Sequence, residues 1–233
     1  MTNPTTLPYV ARVNLLPAYS VTEAARFLGI PRATVRAWIR GQSYKTKGGE
    51  RLFRRVVIPS DEETGYLSFT NLIELMVLEE LRKKVSIPLK TVRLAIENAR
   101  KHFKKEHPLA DLKLLTVQRD IFVKHLGTYL DLSRPEQGVL NEVLESCLQK
   151  IHNDTSGIPR KLYPKEKSNP VEIDPLINFG RPSITGVGIA TEVIFFRHRS
   201  GETIDFLASD YRCDRTLIES AIEYESSSRE NVA

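Results

Sequence analysis

Apolar positions in the first hundred residues recur every three to four places, in several separate runs. Val21, Ala24, Ala25 and Leu28 share one helical face, and Val35, Trp38 and Ile39 share another. Ser20, with Glu23 three places on, makes a capping box that opens a helix over residues 20–28, and Gly29 lets the backbone turn. A second helix is expected over residues 31–40, with Gly41 ending it. Residues 45–58 then read as a strand–turn–strand with Gly48-Gly49 at the tip. Ser68 opens a long amphipathic helix carrying Leu72, Ile73, Leu75, Met76, Leu78 and Leu81. Ser86-Ile87-Pro88 caps the next, whose stripe is Leu89, Val92, Ile96, Ala99 and Phe103.

Past His107-Pro108 the period changes. Residues 112–117, 120–126 and 128–132 read as strands. A helix with Val139, Leu140, Val143, Leu144, Cys147, Leu148 and Ile151 inward follows. Residues 159–170 form a lysine- and proline-bearing connection with a short strand at Lys161-Leu162-Tyr163. A turn-rich entry with Gly180, Pro182, Gly186 and Gly188 leads into three short helices near residues 191–199, 203–209 and 214–225. The expected class is mainly α with small β elements (α+β). A mobile arm spans 1–18, a winged helix-turn-helix region 19–107 and a central β-hairpin plus helix 108–168. A three-helix, helix-turn-helix-like domain spans 169–225, and a flexible tail 226–233.

Composition narrows the function. With 41% hydrophobic and 27% charged residues, a chain of 233 residues builds a packed core without metals or disulfides. No uninterrupted apolar stretch is long enough to cross a bilayer, and the first residues lack the basic and apolar regions of a secretory signal. A cytoplasmic protein is expected, with Cys147 and Cys213 as reduced thiols. His102, His107, His125, His152 and His198 form no ligand-spaced pair, and no phosphate loop, nucleophile elbow or paired catalytic carboxylates stand out. The expectation is therefore no metal, no cofactor and no catalytic residue.

The charge distribution adds a partner. Residues 1–60 hold ten Lys/Arg against two acidic residues, a local balance of +8, while the other 173 residues carry −3. Positive charge concentrated on two short helices and a hairpin points to a polyanion. With Val35 and Trp38 turned inward, Arg32, Thr34, Arg36 and Arg40 fall on the open side of the second helix. An arginine fork there can pair with a phosphate or with the acceptor edge of guanine. Lys45, Lys47, Arg51, Arg54 and Arg55 flank the hairpin tip, where they neutralise phosphates and set register. The plainer reading of both features is a solvated basic face. The coincidence of helix, turn and charge asymmetry favours double-stranded DNA.

Residues 20–40, the basic hairpin and Leu67-Ser-Phe-Thr-Asn-Leu-Ile-Glu-Leu together resemble the MerR-like winged-helix group. The resemblance implies that Thr34 and Arg36 contact DNA, that Trp38 anchors the helix, and that Arg54 lies on or after the wing. The chain departs from that group at His107-Pro108, where effector-binding members continue into a long coiled-coil helix. Residues 171–225, with the entry Gly-Arg-Pro…Gly…Gly-Ile, are similar to a small helical domain of VapB-type antitoxins. That resemblance implies a PIN-domain ribonuclease toxin, VapC-like, as partner.

The last helix carries Glu219, Glu223 and Glu225 with only Arg215 opposing, so this end reads as a protein-contact or dimerisation module rather than a second DNA reader. Ile194, Phe195 and Phe196 are either contacts or core, and Arg197, Arg199 and Arg229 are candidates for engaging toxin carboxylates. The leading reading is a homodimeric antitoxin that represses its own operator. The alternatives are a stand-alone regulator and an accessory factor of nucleic-acid enzymes.

Overall fold

The computed structural model describes residues 9–46, 49–85, 89–130, 134–154, 158–165 and 168–230. The chain is mainly helical with small antiparallel hairpins, an α+β class. Helix α1 (Tyr9–Val13) precedes the helix pair α2 (Val21–Leu28) and α3 (Arg32–Arg40). Strands β1 (Gln42–Thr46) and β2 (Gly49–Phe53) pair in register, Gln42 opposite Phe53 and Thr46 opposite Gly49.

Helix α4 (Phe69–Val85) is buried nearly all round, through Phe69, Leu72, Ile73, Leu75, Met76, Val77, Leu78 and Leu81. The helices around it are α5 (Leu89–Phe103), α6 (Leu112–Leu115), α7 (Arg119–Leu130) and α8 (Arg134–Gln149). Helix α8 packs on α4, and α7 on α5. One continuous core runs from Tyr19 to Ile173, so the helix pair and the central helices share their hydrophobic interior. The cap expected at residues 86–88 lies outside the described residues.

The strands expected over 112–132 are helices, among the residues described there. Asp111 caps α6 by accepting the Leu114 N–H, and Thr116 turns its hydroxyl back to the Leu112 carbonyl. In α7, Phe122, Val123 and Leu126 are buried at helical spacing, and Phe122 meets Phe103 of α5 edge-on at 5.6 Å. The β-branched residues in this stretch suggested alternation, but packing against α5 selects the period of a helix. The central hairpin lies later, as β3 (Ile151–Asn153) with β4 (Pro159–Leu162).

Two further corrections concern the ends. The described part of the expected arm is tied down: Asn14 is buried, donates to the Pro159 carbonyl at 2.6 Å, and accepts from both the N–H and the hydroxyl of Thr70. Helix α11 (Arg215–Glu230) continues through residues 226–230, where a flexible tail was expected, because Ser228 is buried and Arg229 is ion-paired.

The C-terminal segment begins with β5 (Val171–Glu172) paired to β6 (Ser183–Ile184) around a tight turn at Asn178–Gly180. Helices α9 (Thr191–Arg199) and α10 (Ile204–Tyr211) pack with α11 around Ile184, Ile194, Leu207, Ile218 and Ala221, a second small core.

This segment leans on the N-terminal helix pair. Arg26 of α2 meets Glu192 of α9 at 3.1 Å and lies 3.8 Å from Glu225 of α11, and Arg229 reaches the same two carboxylates at 3.1 and 3.2 Å. Thr191 donates to the other Glu225 oxygen at 2.7 Å. Burial disfavours the Arg26 charge, but the hydrogen bond it donates to Glu192 and the nearby carboxylates outweigh it and raise its pKa.

Candidate nucleic-acid interface

The geometry of α2 and α3 follows from their caps. Ser20 accepts the Glu23 N–H while the Glu23 carboxylate takes the Ser20 N–H and hydroxyl, a complete capping box. Gly29 ends α2 at φ +64°, a left-handed conformation that glycine adopts without a Cβ penalty. Ala24 and Ala25 are fully buried, which lets α3 approach closely.

Helix α3 buries Val35, Trp38 and Ile39. Arg32, Arg36 and Arg40, four residues apart, therefore form one exposed stripe. None of the three has an ion-pair partner among the described residues. Thr34 lies about half a turn away from Arg32, half-buried at the edge of the packed face. The structure thus gathers the three arginines and leaves Thr34 on the flank.

The stripe opens on a cleft of about 200 Å³. Its other walls are the N-terminal turn of α2 (Ser20, Val21, Thr22) and the loop Thr64-Gly65-Tyr66. Among the described residues no carboxylate lines it. Three guanidinium groups on one concave surface suit a phosphate oxygen. The loop was not foreseen from sequence. Gly65, at φ +77°, is the local signal: the left-handed backbone there favours glycine, and the Arg40 guanidinium lies beside it.

The wing is fastened to the end of α3. The Trp38 carbonyl, left over at the helix terminus, accepts the N–H groups of Val56 (2.7 Å) and Val57 (3.1 Å) as the chain returns from β2. Trp38 itself is buried, with the Arg82 guanidinium 5.4 Å from its ring centre. Arg100 of α5 binds the Val56 carbonyl at 2.7 Å, and Asn71 of α4 binds the Ile58 carbonyl at 2.8 Å. Asn71 also donates to Glu74, which pairs with His107 at 2.9 Å.

The wing candidates divide. Lys45 and Arg51 are placed on β1 and β2 by register, opposite Glu50 and Tyr44 respectively. Lys47 lies outside the described residues. Arg54 is exposed beyond β2, with no ion-pair partner among the described residues. Its neighbour Arg55 is held in a two-pronged pair by Glu62, at 2.8 and 3.0 Å. Those hydrogen bonds and the Arg55 charge keep the Glu62 carboxyl below its usual range.

The C-terminal candidates change most. Arg197 is engaged by Glu202 at 2.9 Å and Asp210 at 2.6 Å. Arg229 is bound to Glu192 and Glu225 and lies 4.9 Å from the ring centres of Phe195 and Phe196. Neither is free to meet a partner's carboxylate. Arg199 is exposed, without an ion-pair partner among the described residues. Ile194 and Phe195 are core, while Phe196 is about half exposed. Glu225, read as part of an acidic face, is buried against Arg26 and Arg229.

Both thiols are free, and no group of three or more metal-ligating side chains occurs among the described residues. No described helix is long and apolar enough to cross a membrane.

Residues 17–96 match a family model described as "Putative DNA-binding HTH domain", which covers the helix pair, the wing and α4. Residues 171–224 match "Protein of unknown function (DUF433)", covering β5 through most of α11. Two proteins of Mycobacterium tuberculosis align over most of their length. The uncharacterized protein Rv2308 is 27% identical over 217 residues, 88% of this chain and 89% of the relative. "Putative antitoxin VapB45" is 25% identical over 213 residues, 84% of this chain and 88% of the relative. The crystal structure of Rv2018 from the same organism shares the fold, with a TM-score of 0.64 at 20% identity over 89% of this chain and 97% of that one.

Proposed function

We propose that the chain is a DNA-binding antitoxin. Its N-terminal region, read as a MerR-like winged helix, binds operator DNA as a homodimer and represses its own operon. Its C-terminal region, 169–225, read as VapB-like, holds a PIN-domain ribonuclease toxin and blocks its active site. The observation that carries the DNA half is the Arg32–Arg36–Arg40 stripe on the open face of α3, without an ion-pair partner among the described residues and opening on a cleft that no described carboxylate lines. Support for the antitoxin half is the similarity to "Putative antitoxin VapB45" over 84% of this chain.

The test is Arg36→Ala. Its side chain is exposed and unpaired, so the fold should keep its melting temperature. Loss of an arginine that reads base or phosphate costs about 1–3 kcal/mol, roughly a ten- to hundredfold weaker complex. Mobility shift with the DNA upstream of its own gene should show that loss, and pull-down of the neighbouring gene product should be unchanged. Parallel loss of both would reject the division of labour. A stand-alone regulator is the second reading, favoured by the internal pairing of Arg197 and Arg229, and the absence of a PIN-type gene beside this one would select it.

A further inference from the structure

Two clefts meet at Arg40 and Gly65, and they differ in net charge: the first is cationic, the second balanced. The first holds Arg32, Arg36 and Arg40 and, among the described residues, no carboxylate. The second, about 340 Å³, sets Arg40 and Arg55 against Glu62 and Glu63. The surface potential therefore changes across the single side chain of Arg40. Arg55, a cation on the wing side, is cancelled by the two-pronged grip of Glu62.

The turn that carries Glu62 is built firmly. The Asp61 carboxylate accepts from the N–H groups of Glu63 and Thr64 and from the Thr64 hydroxyl, at 3.0, 3.2 and 2.6 Å. The Asp61 carbonyl accepts the Gly65 N–H, and the Tyr66 carbonyl accepts from the Asp61 N–H and the Ser60 hydroxyl. An ion pair as exposed as Arg55–Glu62 adds little to folding. Its consequence is for a polyanion. A free arginine beside Arg40 would grip a phosphate in any sequence. A carboxylate fixed there removes that grip and repels the backbone.

We propose that Glu62 is a specificity-determining residue of the nucleic-acid interface: by neutralising Arg55 it suppresses sequence-independent binding and confines the phosphate backbone to the Arg32–Arg36–Arg40 side. This rests on the reading that the surface binds duplex DNA. It works against the wrong ligand rather than for the right one, the logic of negative selection in recognition.

The experiment compares the full-length wild type, Glu62→Gln and the double variant Arg55→Gln/Glu62→Gln. Binding is measured by fluorescence anisotropy to a random-sequence duplex, from about 50 to about 200 mM salt, and to the DNA upstream of its own gene. Glu62→Gln is expected to tighten random-duplex binding about tenfold and to steepen the slope of log K against log salt by about 0.9, the effect of one added phosphate contact. Upstream DNA should gain less, so the ratio of specific to non-specific affinity falls. The double variant should return to the wild-type slope, because the pair's net charge is again zero.

An unchanged slope in Glu62→Gln overturns the proposal. So does a double variant with a shallower slope than wild type, which would mean that Arg55 already holds a phosphate. A wild type that binds neither duplex at the lowest salt removes the DNA-binding reading itself, and this inference with it.

Discussion

The phenolic Oη of Tyr224 donates a 2.8 Å hydrogen bond to the main-chain carbonyl of Phe27, joining α11 to the end of α2 across 197 positions of sequence. Both residues are buried. The bond satisfies a carbonyl at the terminus of the first helix of the pair. The helix that ends the chain therefore helps to hold the element that braces α3.

Tyr224→Phe keeps the ring and removes the hydroxyl, which donates to Phe27 and also meets the Ser228 side chain. A buried acceptor left without its partner costs about 1–3 kcal/mol. Chemical denaturation should show a lower midpoint with the slope preserved. A stability within error of wild type would mean that the carbonyl is satisfied in another way.

Gly180→Ala should be more severe. Gly180 sits at φ +75°, and a Cβ built on it would run into the Tyr19 hydroxyl. Tyr19 is buried and bridges to Leu67, so the ring has little room to retreat. Left-handed strain and overpacking together predict a loss of about 2–4 kcal/mol. A melting curve that superimposes on wild type would show that the turn yields instead.

Stability should also depend on pH through His107. Burial works against its charged form, but the hydrogen bond and charge of Glu74, with Glu106 beyond, outweigh burial and the repulsion of Arg100, so its pKa is raised. The folded state then binds more protons than the unfolded chain above about pH 6.5. The pair's contribution is fully present below that pH and is lost as pH rises through the folded pKa. Denaturation midpoints should fall as pH rises above about 6.5, and His107→Gln should flatten this segment of the profile. A midpoint that rises over the same range in the wild type would refute the pairing. Because Glu74 also takes the hydrogen bond of Asn71, which binds the Ile58 carbonyl, the same titration bears on how the wing's return is held.

Local patterning was enough for the parts of the molecule whose reasons are local. The capping box at Ser20, the turn at Gly29, the inward set Val35, Trp38 and Ile39, and hence the stripe Arg32, Arg36 and Arg40, all follow from spacings of three or four residues, and the sequence alone determined them. Tertiary structure decided what those spacings cannot encode. Residues 112–130 carry strand-forming side chains, yet α5 presents an apolar face that only a helix complements. Arg197 and Arg229 read as free cations until folding brought Glu202, Asp210, Glu192 and Glu225 to them, and Arg55 until Glu62 did. Periodicity reports which way a side chain points. Whether a charge remains available depends on which opposite charge the fold carries to it, and that is settled by contacts between segments far apart in the chain.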